Sequence, residues 1–231
     1  MYLCDMLYGM ERKITFSEGE FYHLYNRGVE KRAIFSDRAD RERFLRLLFV
    51  ANSTEPFIFR EIENKRFSEI DRGNILVAIG AYCLMPNHFH LLVREISPGG
   101  ISLFMEKLST SYSMYFNKRH DRVGPLFQGR FKAQHVDKDT YLKYLFAYIH
   151  LNPVKLIDSH WKENGIKDKS HAKQYLNTYR YSSYLDYSGD EREEGDILTT
   201  KEFPTYFSKK RDFADFVDDW TQSNERLSNN T

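Results

Sequence analysis

The chain has 231 residues, a length that suits one sizeable core with room for an insertion or an appended tail. Hydrophobic residues make up 41% and charged residues 29%, a balance that excludes a disordered chain, and no apolar run approaches the roughly 20 residues needed to span a bilayer. The net charge of +1 excludes a polycation, so a nucleic-acid partner would need a local basic patch.

The N-terminus carries no basic segment followed by a long apolar core, so we predict no signal peptide and interpret residues 1–19 as a leader. The two cysteines, Cys4 and Cys83, lie far apart in unlike contexts, which argues against a disulfide framework. These features predict a reduced, cytoplasmic protein that makes no use of a membrane.

Periodicity predicts strands and helices in regular succession. The predicted elements are a strand (20–28), a helix (36–52), two strands around a turn (75–96), a helix (102–120), a turn and short strand (121–136), and a helix (137–153). Ser36 and Asp37 are candidate caps of the first helix, and Asp137 or Asp139 of the last. Pro153 ends that last helix, because proline disfavours helical geometry in the residue before it.

This order favours an α+β fold, an antiparallel sheet with helices packed on one face. The polar, mixed-charge residues 52–74 are interpreted as an insertion. Residues 158–231 form a C-terminal extension, mostly helical or irregular, with a helix near 212–220. The catalytic domain is therefore assigned to residues 20–157.

Two histidines stand one residue apart in the apolar stretch CLMPNHFHLLV. Side chains alternate faces along a strand, so His88 and His90 project together. Two neighbouring imidazoles make half of a divalent-metal site, although a bare His-x-His is more often a pair of hydrogen-bonded histidines at a sheet surface.

Helical spacing places several tyrosines of YLKYLFAYIHLN on one face. Tyr141, Tyr144 and Tyr148 recur at this spacing, and Asn152 follows Tyr148 by one turn. A tyrosine near a metal would be a nucleophile, yet tyrosines at this spacing more often belong to a core.

A basic segment with interleaved aromatics spans SYSMYFNKRHDRVGPLFQGRFKAQH. It carries Lys118, Arg119, Arg122, Arg130 and Lys132 against the single acid Asp121. Such a mixture suits a groove that follows a nucleic-acid strand and stacks its bases, and a solvated hairpin would look the same by charge alone.

Taken together and in order, YHLYNRG, AYCLMPNHFHLLV, YFNKRHDRVGPLFQGRFK and YIHLNPV resemble the single-tyrosine HUH endonucleases, in particular the REP-associated tyrosine transposases. The resemblance implies a ferredoxin-like sheet, with Tyr148 as the nucleophile and His88, His90 and Asn152 as ligands of Mg²⁺ or Mn²⁺. It also implies hairpin-forming single-stranded DNA as the substrate, cut through a 5′-phosphotyrosine. Within the basic segment, the candidate DNA-binding residues are Arg119, Arg122, Gln128, Arg130 and Lys132.

Three alternatives stay open at this stage. The protein could bind hairpin DNA without cutting it, it could be a hydrolytic phosphodiesterase that recruits His135 or His150, or it could serve only as an interaction module. The sequence also leaves both a monomer and a homodimer open.

Overall fold

One antiparallel sheet organises the computed structural model, which describes residues 14–207 and 209–222. Its strands are β1 (Phe21–Arg27), β2 (Val77–Met85), β3 (His88–Glu95) and β4 (Lys132–Val136). They lie in the order β2-β3-β1-β4, so β1 and β3 are central. The α+β prediction is confirmed; most of the predicted leader, residues 1–13, lies outside the described residues.

Helices surround this sheet, and one lies at each place where the sequence predicts a helix. The α-helices are α1 (Arg38–Val50), α2 (Phe59–Ile62), α3 (Gly100–Arg119), α4 (Asp139–Leu151), α5 (Trp161–Asn164), α6 (Lys169–Leu176), α7 (Tyr184–Ser188) and α8 (Lys210–Gln222). Across residues 14–207 and 209–222, none of the helices combines the length and apolarity required to cross a membrane.

Both faces of the sheet are covered, which corrects the prediction of helices on one face. Phe89 and Leu91 point to one side and pack with α1 and α3. Leu92 points to the other side and packs with Leu145 and Phe146 of α4. The C-terminal extension joins this second layer through residues such as Phe203, because the apolar faces of α4 and β2 would otherwise remain in water.

The predicted N-terminal cap is present in α1 but not in α4. Asp37 caps α1, accepting a hydrogen bond from the Asp40 amide at 3.0 Å. The predicted aspartate cap of α4 is wrong: Lys138 occupies the cap position without a side-chain bond. Asp139 instead binds the Tyr206 hydroxyl and, at 2.9 Å, the ammonium of Lys143.

The predicted insertion is folded against α1 rather than being a loose loop. Phe67 is buried and stacks on Phe49 with ring centroids 4.5 Å apart. The buried Asn52 amide donates to the Val77 carbonyl at 2.8 Å and accepts from the Leu76 and Val77 amides at 3.0 Å. This segment therefore links the end of α1 to the start of β2.

We predict that Gly80→Ala destabilises the fold. Gly80 lies at the irregularity of β2 between Ile79 and Ala81, and an added methyl carbon would meet the Phe203 ring at 2.5 Å. Overpacking of this kind costs about 1–3 kcal/mol, which a urea unfolding titration would measure as a lower free energy of unfolding.

The control is Gly195→Ala, whose methyl carbon would lie 3.6 Å from the Asp186 carboxylate, an ordinary contact. Its expected effect is within about 0.5 kcal/mol. Adding Phe203→Ala should remove most of the cost of Gly80→Ala, because the clash partner is gone. Strict additivity of the two substitutions would contradict the packing of the extension on β2.

Candidate active site

Pairing between β1 and β3 gathers three imidazoles on the sheet face that α4 covers. Tyr25 lies opposite His90 in the antiparallel register. His23, two residues earlier on β1, places Nε2 2.9 Å from Nδ1 of His90. The ring centroids of His88 and His90 are 5.0 Å apart. The predicted histidine pair therefore shares a face, and His23 joins it.

Hydrogen bonds occupy one nitrogen of each imidazole in the pair. The Asn87 side chain donates to the Lys31 carbonyl at 3.0 Å, which fixes its amide orientation. Its oxygen then accepts from His88 Nδ1 at 2.6 Å, so Nε2 of His88 keeps its lone pair. His90 Nδ1 lies within hydrogen-bonding distance of His23 Nε2, and Nε2 of His90 carries a lone pair in the tautomer in which Nδ1 donates. Metal-binding histidines typically have this arrangement, with the other ring nitrogen hydrogen-bonded.

The imidazoles are held neutral at physiological pH. Burial lowers the pKa of His23 to about 3, with a smaller contribution from the charge of Lys162. Burial, followed by the charges of Lys155, Lys162 and Arg27, lowers the pKa of His88 to about 4. Burial and the neighbouring imidazoles hold the pKa of His90 well below its usual value. Neutral imidazole is the form that binds a metal ion.

Helix α4 delivers Tyr148 to these imidazoles within one chain. The Tyr148 ring meets His90 edge-on at a centroid distance of 5.4 Å and His23 at 6.1 Å. Tyr144, one turn earlier, stacks on it at 5.7 Å. The residue is half-buried, and its hydroxyl accepts a hydrogen bond from Lys162 Nζ at 2.9 Å. The phenol therefore lies at the site, outside the apolar core.

Asn152 keeps helical geometry despite the proline after it, with φ −55° and ψ −38°. It therefore shares a helix face with Tyr148 one turn earlier. Its side chain is buried, and the amide nitrogen has no hydrogen-bond partner.

The described residues contain no group of three His, Cys, Asp or Glu side chains that could hold a metal ion. A divalent ion at this site would therefore need an amide ligand beside His88 and His90. Asn152 is the candidate for that ligand, because its buried amide shares a helix face with Tyr148 and an amide oxygen is an accepted ligand of Mg²⁺-like ions. The residues present thus fit a divalent ion.

Of the predicted DNA-binding residues, Gln128 and Lys132 lie beside this site, and Arg130 lies between them in the chain. Arg27 is opposite His88 in the sheet register, and its Nε donates to the Gln128 side chain at 2.5 Å. Arg130 and Lys132 are exposed. Lys132 pairs with Tyr25 across the β1–β4 ladder and so lies on the histidine face. The basic segment therefore continues directly into the site.

The other two predicted DNA-binding residues make intramolecular contacts instead. Arg119 pairs with Asp40 at 2.6 Å and with Asp37 at 2.7 Å, which joins the end of α3 to the start of α1. Arg122 donates to the Asn117 side chain at 3.2 Å. Both guanidinium groups therefore stabilise the start of the basic segment, where it leaves α3.

His135 and His150, considered in one alternative, lie in other environments. His135, which lies on β4, contacts the Glu20 carboxylate at 2.7 Å. His150 is fully buried; its Nδ1 donates to the Phe146 carbonyl at 2.8 Å, and the Ser183 hydroxyl donates to its Nε2 at 2.7 Å. Neither imidazole is in hydrogen-bonding contact with the His88–His90 pair.

Sequence reasoning missed two residues of the site, His23 and Lys162. A signal for His23 existed, because it alternates with Tyr25 on a strand adjacent to β3 and so shares the face of His90. Lys162 carried no local signal, because a short helix after the predicted catalytic domain brings it to Tyr148.

Comparisons with known proteins identify the family of the chain. The model of a family described as "Transposase IS200 like" matches residues 22–152, which include the four strands apart from Phe21 and the whole of α4. Among solved structures, the chain is similar to a REP-associated tyrosine transposase bound to a REP hairpin. The two share 14% identity over 77% of this chain and 84% of that one, with a TM-score of 0.48. No curated protein matches.

Proposed function

The chain belongs to the IS200-like transposase family, and from this premise we propose that it is a metal-dependent single-stranded DNA endonuclease and strand transferase. It cuts near DNA hairpins and forms a 5′-phosphotyrosine intermediate. The observation that carries the proposal is the half-buried Tyr148, whose ring lies 5.4 Å from His90 of the same chain. A single chain thus supplies both the phenol and the imidazoles.

Tyr148 is the nucleophile of the proposed reaction. Its hydroxyl loses a proton to solvent as the phenolic oxygen bonds to phosphorus. The bond between phosphorus and the 3′ oxygen breaks, and that oxygen takes up a proton to become a 3′-hydroxyl. The energy of the phosphodiester is retained in the phosphotyrosine, so a 3′-hydroxyl can attack it and rejoin the strand.

His88, His90 and Asn152 would hold the Mg²⁺ or Mn²⁺ ion. A divalent ion there would polarise the scissile phosphate and neutralise charge on its non-bridging oxygens. His23 and Asn87 orient the two imidazoles through their Nδ1 atoms, so both rings are already held in place before any ligand arrives.

The exposed residues Arg130 and Lys132 would bind the DNA backbone. Lys132 lies on the histidine face opposite Tyr25, whose ring is 5.9 Å from that of His90. A strand following this row would meet a cation, an aromatic ring and the imidazoles in turn. Unpaired nucleotides suit such a path, because their bases can stack on an aromatic side chain.

We predict that Tyr148→Phe abolishes covalent adduct formation, by at least about 1,000-fold. The measurement mixes the protein with Mn²⁺ and a labelled pool of hairpin-forming single-stranded DNA, then resolves adducts on a denaturing gel. Tyr144→Phe, which removes the hydroxyl one turn away, should keep adduct formation. An adduct that persists in Tyr148→Phe refutes the assignment, and tight binding by the wild type without any adduct would favour a binding-only protein.

The metal proposal predicts that His88→Ala combined with His90→Ala lowers adduct formation at least about 100-fold, because several kcal/mol of charge stabilisation is lost. Chelation with EDTA should have the same effect on the wild type, and added Mn²⁺ should reverse it. His135→Ala is the matched control on β4. Full activity in the double variant, or in excess EDTA, would remove the metal from the proposal.

For the DNA interface, we predict that Arg130→Met combined with Lys132→Met weakens binding to the hairpin-forming DNA pool. The slope of the logarithm of the binding constant against the logarithm of the salt concentration should become shallower by about 1.4, the value for two lost phosphate contacts on a single strand. Fluorescence anisotropy across a salt series measures both effects. The exposed pair Lys169 and Lys201, changed in the same way, is the control. Equal slopes in the two double variants would place the DNA elsewhere.

A further inference from the structure

Lys162 contacts the proposed nucleophile from outside the family-matched region, which ends at residue 152. Its Nζ lies 2.9 Å from the Tyr148 hydroxyl oxygen and 4.1 Å from the centroid of the same ring. Both side chains are half-buried, so the contact borders solvent at the site. The ammonium therefore touches the atom that would attack phosphorus.

The backbone of α5 holds Lys162 in this position. The preceding residue, Trp161, is 1% exposed and packs with Leu151 at the end of α4 and with Val154 just beyond it. The Trp161 amide donates to the Asp158 carbonyl at 3.3 Å, and the Asp158 amide donates to the Val154 carbonyl at 2.8 Å. A buried anchor adjacent to Lys162 thus joins α5 to the helix that carries Tyr148, as preorganised sites require.

The charges around the site are those of an anion-binding site. Lys162 acts electrostatically on His23, His88 and His90. Lys155 and Arg27 act on His88 with the same sign. These three cations supply positive charge that a phosphodiester would neutralise.

We propose that Lys162 is a catalytic residue of strand cleavage and rejoining. This proposal rests on the proposed function. In cleavage, the Tyr148 O–H bond breaks, the proton passes to water, the O–P bond forms and the 3′ oxygen leaves. The Lys162 ammonium keeps its proton and binds the phenolic oxygen as negative charge develops there. In rejoining, the 3′-hydroxyl attacks phosphorus and gives its proton to water, and the same ammonium stabilises the departing phenolate.

The test measures single-turnover adduct formation and DNA affinity separately, with Mn²⁺ and the hairpin-forming DNA pool. Lys162→Met should slow adduct formation about 100-fold, the effect of removing one donor to a developing oxyanion. Affinity for the DNA should change much less than this rate. Lys162→Arg, which keeps the charge, should recover most of the rate, and Lys167→Met is the matched control because that lysine is exposed in the same extension.

An unchanged or faster rate in Lys162→Met overturns the proposal; a faster rate would mean that the contact restrains the hydroxyl. A loss of rate that Lys162→Arg does not recover, or that Lys167→Met shares, also overturns it. Lys162→Gln, which keeps a hydrogen-bond donor without charge, gives a second test if the methionine variant fails to fold. Failure of the proposed function is distinct, because the wild type would then form no Tyr148-dependent adduct at all.

Discussion

Antiparallel pairing of β1 with β3 sets Tyr25 opposite His90, and the arrangement of the whole site depends on that register. A slip of one residue would turn every side chain of β1 to the other face. The hydrogen bond between His23 Nε2 and His90 Nδ1 would then be lost. The apolar residues of the opposite face, such as Leu24 and Leu91, are buried against α1 and α3 and so fix the register. Packing on one side of the sheet thus positions the imidazoles on the other.

Burial and positive charge act together on the imidazoles. Both lower their pKa values, so positive charge comes from Lys155, Lys162 and Arg27 rather than from the rings. A chain of net charge +1 can therefore present a locally cationic site. Neutral imidazoles next to cations that can bind phosphate suit the phosphodiester chemistry proposed for this site.

Local periodicity was enough to predict the shared faces of the site. The period of two placed His88 with His90 on one face, and the helical period placed Tyr148 with Asn152. Periodicity could not reveal that Asp37 and Asp40 pair with Arg119, or that α5 returns Lys162 to Tyr148. Those contacts depend on tertiary packing. The second helical layer was missed for the same reason, since a strand buried on both faces has no alternation to read.

The wide sequence separation of these groups also affects when the site can form. His23 and His90 are 67 residues apart in the sequence. Lys162 follows Tyr148 by 14 residues. Such non-local contacts are made late in folding, after the entropy of closing long loops has been overcome. A nascent chain that has exposed β1, β3 and α4 still lacks α5 while that segment is inside the ribosome. The contact between Lys162 and the Tyr148 hydroxyl can therefore form only after α5 has left the ribosome.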